Sequence, residues 1–170
     1  MFEKEIKILN IDKEQVIKKI QELFNITKIE TFNVCDIYLI NKKDKKLKIR
    51  LTSNSNKFEL IQKTIKKKTF AKNAVEKNKY IDAIKFKDYI KKYWQKSYRV
   101  KKKQRTYMNF KDIHFMIDEY PWFPPLLEIE AKSDKLLKSL ISKLNLQTHT
   151  ILNCWYNWLQ RHYKKQILPI

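Results

Sequence analysis

The 170-residue sequence contains no glycine. That absence belongs to a bias toward lysine, asparagine, isoleucine, tyrosine and phenylalanine, and it excludes reading every lysine as a functional one. Cysteine is scarce: Cys35 and Cys154 have no metal-ligand spacing and no visible His–Asp partnership. A thiolate metal site and a thiol nucleophile are therefore not expected, and both residues read as small hydrophobes. No apolar run approaches the roughly eighteen residues of a membrane-spanning helix, so a membrane partner is not expected. The opening Met1-Phe2-Glu3-Lys4-Glu5 is charged at once and lacks the apolar core of a secretory signal. A reducing cytoplasm is the expected location. Three of the four prolines fall within 121–125 and no Pro/Ser-rich linker divides the chain, which implies one domain over 1–170.

What the sequence does have is positive charge. Its net +20 calls for a polyanionic partner, and nucleic acid is the usual reading of such a value. Arginine is more selective than lysine here: there are only Arg50, Arg99, Arg105 and Arg161, and the first three fall in segments that read as strands. A chain that uses lysine wherever charge suffices keeps arginine for sites that need a planar fork, such as phosphate oxygens.

Period-two alternation marks a strand over 2–9, and Asp12 opens a helix to about residue 24 with Val16, Ile17, Ile20 and Leu23 on one face. Runs rich in β-branched and aromatic residues predict strands over 32–40, 47–52, 58–64 and 74–81, joined by polar, turn-like connections. A helix is expected over 85–93, then strands over 98–110, 113–118 and 126–131. The segment 120–125, with its three prolines, is expected to stay out of the sheet because proline lacks a ladder donor. Ser133 caps a helix to about residue 144, and 149–164 reads as a last amphipathic helix. Eight strands and four helices with dominant hairpins give an α+β protein with a mainly antiparallel sheet.

The charges fall on particular strand faces. Glu3, Glu5 and Lys7 project to one side of the first strand, and Lys48 and Arg50 share a face opposite Leu47, Ile49 and Leu51. Arg99, Lys101, Lys103 and Arg105 share another face, as do Glu128 and Glu130; Asp118 ends the strand between. A solvated outer face shows the same alternation on any one strand. Like charges set side by side on four strands gain nothing on a plain surface, however. Acidic pairs suit hard divalent cations, and basic rows suit polyphosphate oxygens.

The run Glu3-Lys4-Glu5-Ile6-Lys7 resembles the ExExK signature of the CYTH superfamily, the triphosphate tunnel metalloenzymes. Further segments follow in that family's order: Asp36-Ile37-Tyr38, Leu47-Lys48-Ile49-Arg50, the strand ending in Lys63, Lys103-Gln104-Arg105 with Tyr107, Ile117-Asp118, and Leu127-Glu128-Ile129-Glu130. The likeness covers about residues 3–130. It implies a closed eight-stranded antiparallel β-barrel, open at both ends as a tunnel, with flanking helices. It also implies Mg²⁺ or Mn²⁺ held by Glu3, Glu5, Asp118, Glu128 and Glu130, and phosphates held by Lys7, Lys48, Arg50, Lys63, Lys103 and Arg105. The catalytic set it implies is Glu3, Glu5, Lys7 and Glu130. Two departures stand out: Lys79 occupies a position where an acid is expected, and Pro124-Pro125 replaces the glycine that usually precedes the closing ExE.

The expected activity is metal-dependent hydrolysis of a small triphosphate, whether inorganic tripolyphosphate, a nucleoside triphosphate or thiamine triphosphate. The alternatives are a class IV adenylate cyclase, an RNA 5′-triphosphatase and a non-catalytic polyphosphate-binding module. Nucleic acid is a less favoured partner than a small triphosphate or nucleotide, and monomer and homodimer both fit. His114, His149 and His162 read as core or surface residues, since none pairs with another at ligand spacing. Trp155, Tyr156, Trp158 and Tyr163 read as rings packed on the barrel, and Lys66-Lys67-Lys68 as a solvated loop.

Overall fold

The computed structural model describes residues 2–41, 45–68, 70–93, 99–121 and 123–152. Its elements run β1 (Phe2–Ile8), α1 (Lys13–Phe24), β2 (Glu30–Asn41), β3 (Lys45–Thr52), β4 (Phe58–Lys68) and β5 (Lys72–Ile81). They continue through α2 (Ala83–Tyr93), β6 (Arg99–Phe110), β7 (Ile113–Tyr120), β8 (Phe123–Ala131), α3 (Asp134–Lys143) and β9 (Ile151–Leu152). The protein is α+β, with a curled antiparallel sheet of nine strands in the order β5-β4-β3-β2-β6-β7-β8-β1-β9. The front half of β1 also pairs with β5, Glu5 standing opposite Lys72. Among the described residues no helix is long and apolar enough to cross a membrane.

The helices follow from local chemistry. Asp12 caps α1, its carboxylate accepting from the Gln15 amide, and Ser133 does the same for α3 through the Leu136 amide. Asp82 accepts from the Lys85 amide, which starts α2 two residues earlier than the sequence pattern suggests. Val16 and Ile20 of α1 and Leu137, Leu140 and Ile141 of α3 bury against Ile6, Ile8, Leu127 and Ile129 on the convex side of β1 and β8. At about 2 kcal/mol for each fully buried aliphatic side chain, this layer is the main store of stability. Helix α2 lays Phe86, Tyr89 and Ile90 over Leu39, Ile49, Leu60 and Ile81, covering β2–β5. The odd-numbered apolar residues of β2 and β3 thus have a helix above them, and the charged even-numbered ones take the concave face.

Several expectations need correction. Residues 123–125 belong to β8 despite Pro124 and Pro125. The β7–β8 register shifts between Asp118 and Tyr120, so neither proline stands opposite a ladder partner, and the Pro125 carbonyl accepts from the Ile11 amide instead. Lys66, Lys67 and Lys68 continue the backbone of β4 past a bulge rather than forming a loop. The helix expected over 149–164 does not begin at residue 149: Ile151 and Leu152 form β9 against Ile8 and Lys7. They fill the side of β1 that is vacant once its pairing with β5 ends at Glu5. The rest of that segment, with Cys154, Trp155, Tyr156, Trp158, Arg161, His162 and Tyr163, lies outside the described residues.

Without glycine, left-handed backbone positions fall to other residues. Among the described residues there are four, and Asn10, Asn25 and Asn145 take three of them, asparagine being the residue that tolerates this region best after glycine. The fourth is Lys111, φ 52°, in the two-residue connection between β6 and β7, where hairpins favour glycine or asparagine. Replacing Lys111 with Gly should stabilise the protein by about 1 kcal/mol, read as a raised midpoint in urea with an unchanged slope. An unchanged midpoint would mean that this residue carries no strain.

Candidate functional site

Burial and reach place the charges on one concave face. Lys63 on β4 reaches Glu5 on β1 at 3.0 Å, although β5 lies between them. Arg105 on β6 reaches Glu128 on β8 at 3.6 Å across β7. Such contacts between non-neighbouring strands require side chains that converge across a curved interior. Glu5, Lys7, Asp36, Arg105, Asp118 and Glu128 are all buried, Asp118 with only 1% exposure.

The ion pairs fall into three groups. On β1, Glu5 meets Lys7 at 2.7 Å, Lys63 at 3.0 Å and Lys72 at 2.5 Å, while Lys7 also bonds Glu128. On β2, Asp36 accepts a two-pronged Arg50 fork at 2.8 and 3.0 Å and Lys48 at 3.0 Å. On β7, Asp118 accepts the Arg105 fork at 2.6 and 2.9 Å and Lys103 at 2.5 Å. Two strands of Lys-x-Arg pattern therefore each clamp one aspartate. The scarcity of arginine is informative, since both forks, buried for Arg105 and half-buried for Arg50, are bidentate and lysine cannot reproduce that geometry. Arg99, in contrast, is exposed.

Protonation follows from competition between burial and neighbours. Burial pushes the Glu5 carboxyl up, but Lys63, Lys7 and Lys72 overcome it and hold it well below the usual range. Burial likewise raises Glu128, and Lys7 reverses this to leave it at about 2. Asp36 and Asp118 are depressed against the same penalty by their lysines and arginines. Among the lysines, burial lowers Lys101 to about 6, Lys103 to about 7, and Lys46 and Lys48 to about 8, each further opposed by a neighbouring cation. Lys7 goes the other way, to about 12, because Glu128 and Glu5 outweigh its burial. Among the described residues the concave face thus holds Lys7, Lys46, Lys48, Arg50, Lys63, Lys72, Lys101, Lys103 and Arg105 against Glu5, Asp36, Glu76, Asp118, Glu128 and Glu130. Cations are in excess, and burial with neighbouring cations brings four of the lysines down to about 6 to 8.

Glu5, Glu128 and Glu130 bring carboxylate oxygens within 4.8 Å of one another. Three carboxylates are the donor set that Mg²⁺ or Mn²⁺ takes, so this group fits such an ion. Asp118 stands apart from it, with both oxygens engaged by Arg105 and Lys103. The backbone of Glu3 lies in β1 opposite Ala74, and its side chain is not among those described.

Sequence reasoning missed four contributors. Lys72 sits two residues before the strand start read from the sequence, yet it pairs in register with Glu5. Glu76 faces inward at 3.2 Å from Lys63, whereas Lys79 is exposed, so the inward acid of β5 is Glu76. Lys46 extends the Lys48–Arg50 alternation by one step, a signal that was available. Asp36 belonged to the quoted Asp-x-Tyr run, but nothing in the sequence showed that it receives both Lys48 and Arg50. His114 is half-buried and bonds the Tyr107 hydroxyl at 2.7 Å, a contact that satisfies Nδ1 within the protein.

No protein-family model and no curated protein sequence matches the chain. Solved structures do. PH1012 of Pyrococcus horikoshii OT3 superposes with a TM-score of 0.75 at 19% identity, over 98% of this chain and 99% of its own. HpAC1 of Hippeastrum, an adenylyl cyclase candidate whose description gives it a dominant triphosphatase activity, superposes with a TM-score of 0.63 at 12% identity, over 99% and 98%. A chain of the Schizosaccharomyces pombe Mediator head module superposes with a TM-score of 0.58 at 10% identity, over 89% and 98%. At such identities the likeness is one of fold. It shows that this chain shares the fold of these solved proteins, which include a triphosphatase and adenylate cyclase candidates.

Proposed function

We propose that this protein binds a triphosphate together with Mg²⁺ or Mn²⁺ in a tunnel completed by the β1–β5 pairing, and hydrolyses it. The observation that carries this reading is the excess of cations over carboxylates among the buried and half-buried side chains of the concave face, with Glu5, Glu128 and Glu130 grouped among them. A surplus of positive charge withdrawn from water is costly, and an oligoanion of matching size would offset it.

Lys48, Arg50, Lys63, Lys103, Arg105 and Lys7 are the residues to hold phosphate oxygens. The two arginine forks are held in place by Asp36 and Asp118, so little freedom is lost when a phosphate meets them. Glu5, Glu128 and Glu130 would hold the metal, with Glu3 and Asp118 as further candidates. When bound, the ion would neutralise phosphate charge and lower the pKa of a water. Lys7, between Glu5 and Glu128, keeps both carboxylates ionised and oriented toward that position. Lys103 and Arg105 face the same interior as donors for charge that builds on phosphoryl oxygens in the transition state. The buried walls limit the access of bulk water.

Cyclase chemistry uses the same cations, and HpAC1 is an adenylyl cyclase candidate with a dominant triphosphatase activity. Product analysis separates the two: orthophosphate from ATP supports hydrolysis, and cyclic AMP with pyrophosphate supports the cyclase. An RNA 5′-triphosphatase would prefer triphosphate-ended RNA over tripolyphosphate, with steep salt dependence. A binding module, as the Mediator likeness allows, would show no turnover.

Two measurements test the proposal. Glu130→Gln should lower metal-dependent phosphate release by more than about a hundredfold, the loss that disturbing even a ligand's partner can reach, while the fold persists by circular dichroism. Equal turnover in that variant, or turnover that survives a chelator, would sink the metal reading. Lys101, Lys103, Lys46 and Lys48 must regain protons to meet phosphate, their bound pKa values being raised above those of the empty protein. Tripolyphosphate binding at pH 8 should therefore take up about three protons if all four are recharged, and affinity should fall as pH rises from 7 to 9. Calorimetry in buffers of different ionisation enthalpy reads this directly, and binding without proton uptake would contradict it.

A further inference from the structure

Glu5 carries the densest cation contact in the carboxylate group. Its Oε2 accepts from Lys72 at 2.5 Å and Lys63 at 3.0 Å, and its Oε1 lies 2.7 Å from Lys7. Lys7 and Lys63 have second carboxylates within reach, Glu128 and Glu76. Lys72 has Glu5 as its carboxylate partner among the described residues. It stands directly opposite Glu5 in the β1–β5 register and is 9% exposed, so its ammonium is held at that oxygen with little solvent to retreat into.

The geometry points to Lys72 as a built-in counter-cation: its ammonium occupies Glu5 in the ligand-free protein and must leave before Glu5, Glu128 and Glu130 can close on a divalent ion, so Lys72 sets the metal affinity of the group. This rests on the metal site proposed above and adds to it a residue that no motif assigns. A lysine ammonium and a divalent ion compete for the same carboxylate lone pairs. Once displaced, a buried ammonium needs another anion within reach, because leaving it unpaired is strongly unfavourable. A triphosphate supplies such oxygens. Metal alone therefore binds weakly, and the arrival of substrate releases the restraint. The sequence hid this role because Lys72 is one lysine among many and lies outside the strand segment that its neighbours predict.

The test uses the full chain, stripped of metal and without any nucleotide or phosphate. Mn²⁺ is titrated in, and free Mn²⁺ is followed by its electron paramagnetic resonance signal. Removing one charge-assisted hydrogen bond from Glu5 should tighten Mn²⁺ binding roughly tenfold in Lys72→Met relative to the wild type. Lys72→Arg keeps the cation and should bind as weakly as the wild type. Lys101→Met is the control for general charge, since its principal charge neighbours are Lys46, Lys103, Lys7 and Asp36; it should tighten binding far less. Lys72→Gln is read in the same way should Lys72→Met not fold. Wild type that binds Mn²⁺ while Lys72→Met binds it no tighter overturns this inference and leaves the metal site standing. Equal tightening in Lys101→Met also overturns it, because net charge would then be the whole cause. Failure of the wild type and every variant to bind Mn²⁺ removes the metal site and this inference together.

Discussion

The structure depends on mutual neutralisation of charges taken out of water. Moving an ammonium or a carboxylate into a buried site costs several kcal/mol, recovered only by close partners of opposite sign. Asp36 and Asp118 answer that demand for the two Lys-x-Arg strands, and Glu5 and Glu128 answer it for β1 and its neighbours. Cations still exceed anions, and burial lowers Lys101 to about 6 and Lys103, even beside Asp118, to about 7. The interior is a compromise between ion pairing and lowered lysine pKa values.

Fold and site are consequently one object. An ordinary antiparallel sheet buries one face and wets the other. Here the convex face packs apolar side chains under α1, α3 and α2, while the concave face is also withdrawn from solvent, lined by charge. Ile6 and Glu5, adjacent in sequence, serve opposite faces of β1. A one-residue slip of register would send Glu5 and Lys7 under α1 and α3 and bring Ile6 and Ile8 into the interior. The hydrophobic layer therefore fixes the register that the charged layer requires.

Much of this was legible in the sequence. Alternation marked β1 and the β2–β4 hairpins, side-chain caps marked α1 and α3, and the same-face charges of β1, β3, β6 and β8 marked the interior. What was not legible depended on long-range partners. The assignment of Asp36 to Arg50 and of Lys72 to Glu5 requires the register between strands, which local pattern does not carry. Pro124 and Pro125 stood in β8 because a bulge removed their ladder obligations, and β9 formed because β1 had a vacant side; both are tertiary effects that override local preference.

The position of β1 in this sheet has a consequence for biogenesis. Its partners β5, β8 and β9 lie about seventy to one hundred and fifty residues further along the chain. Closing contacts of such separation carries a large loop-entropy cost and slows folding relative to local hairpins. The β2–β3–β4–β5 hairpins can assemble while β1 is still unpaired. Until pairing, Glu5 and Lys7 place charge on the unpaired strand, the kind of residue that disfavours edge pairing with another copy.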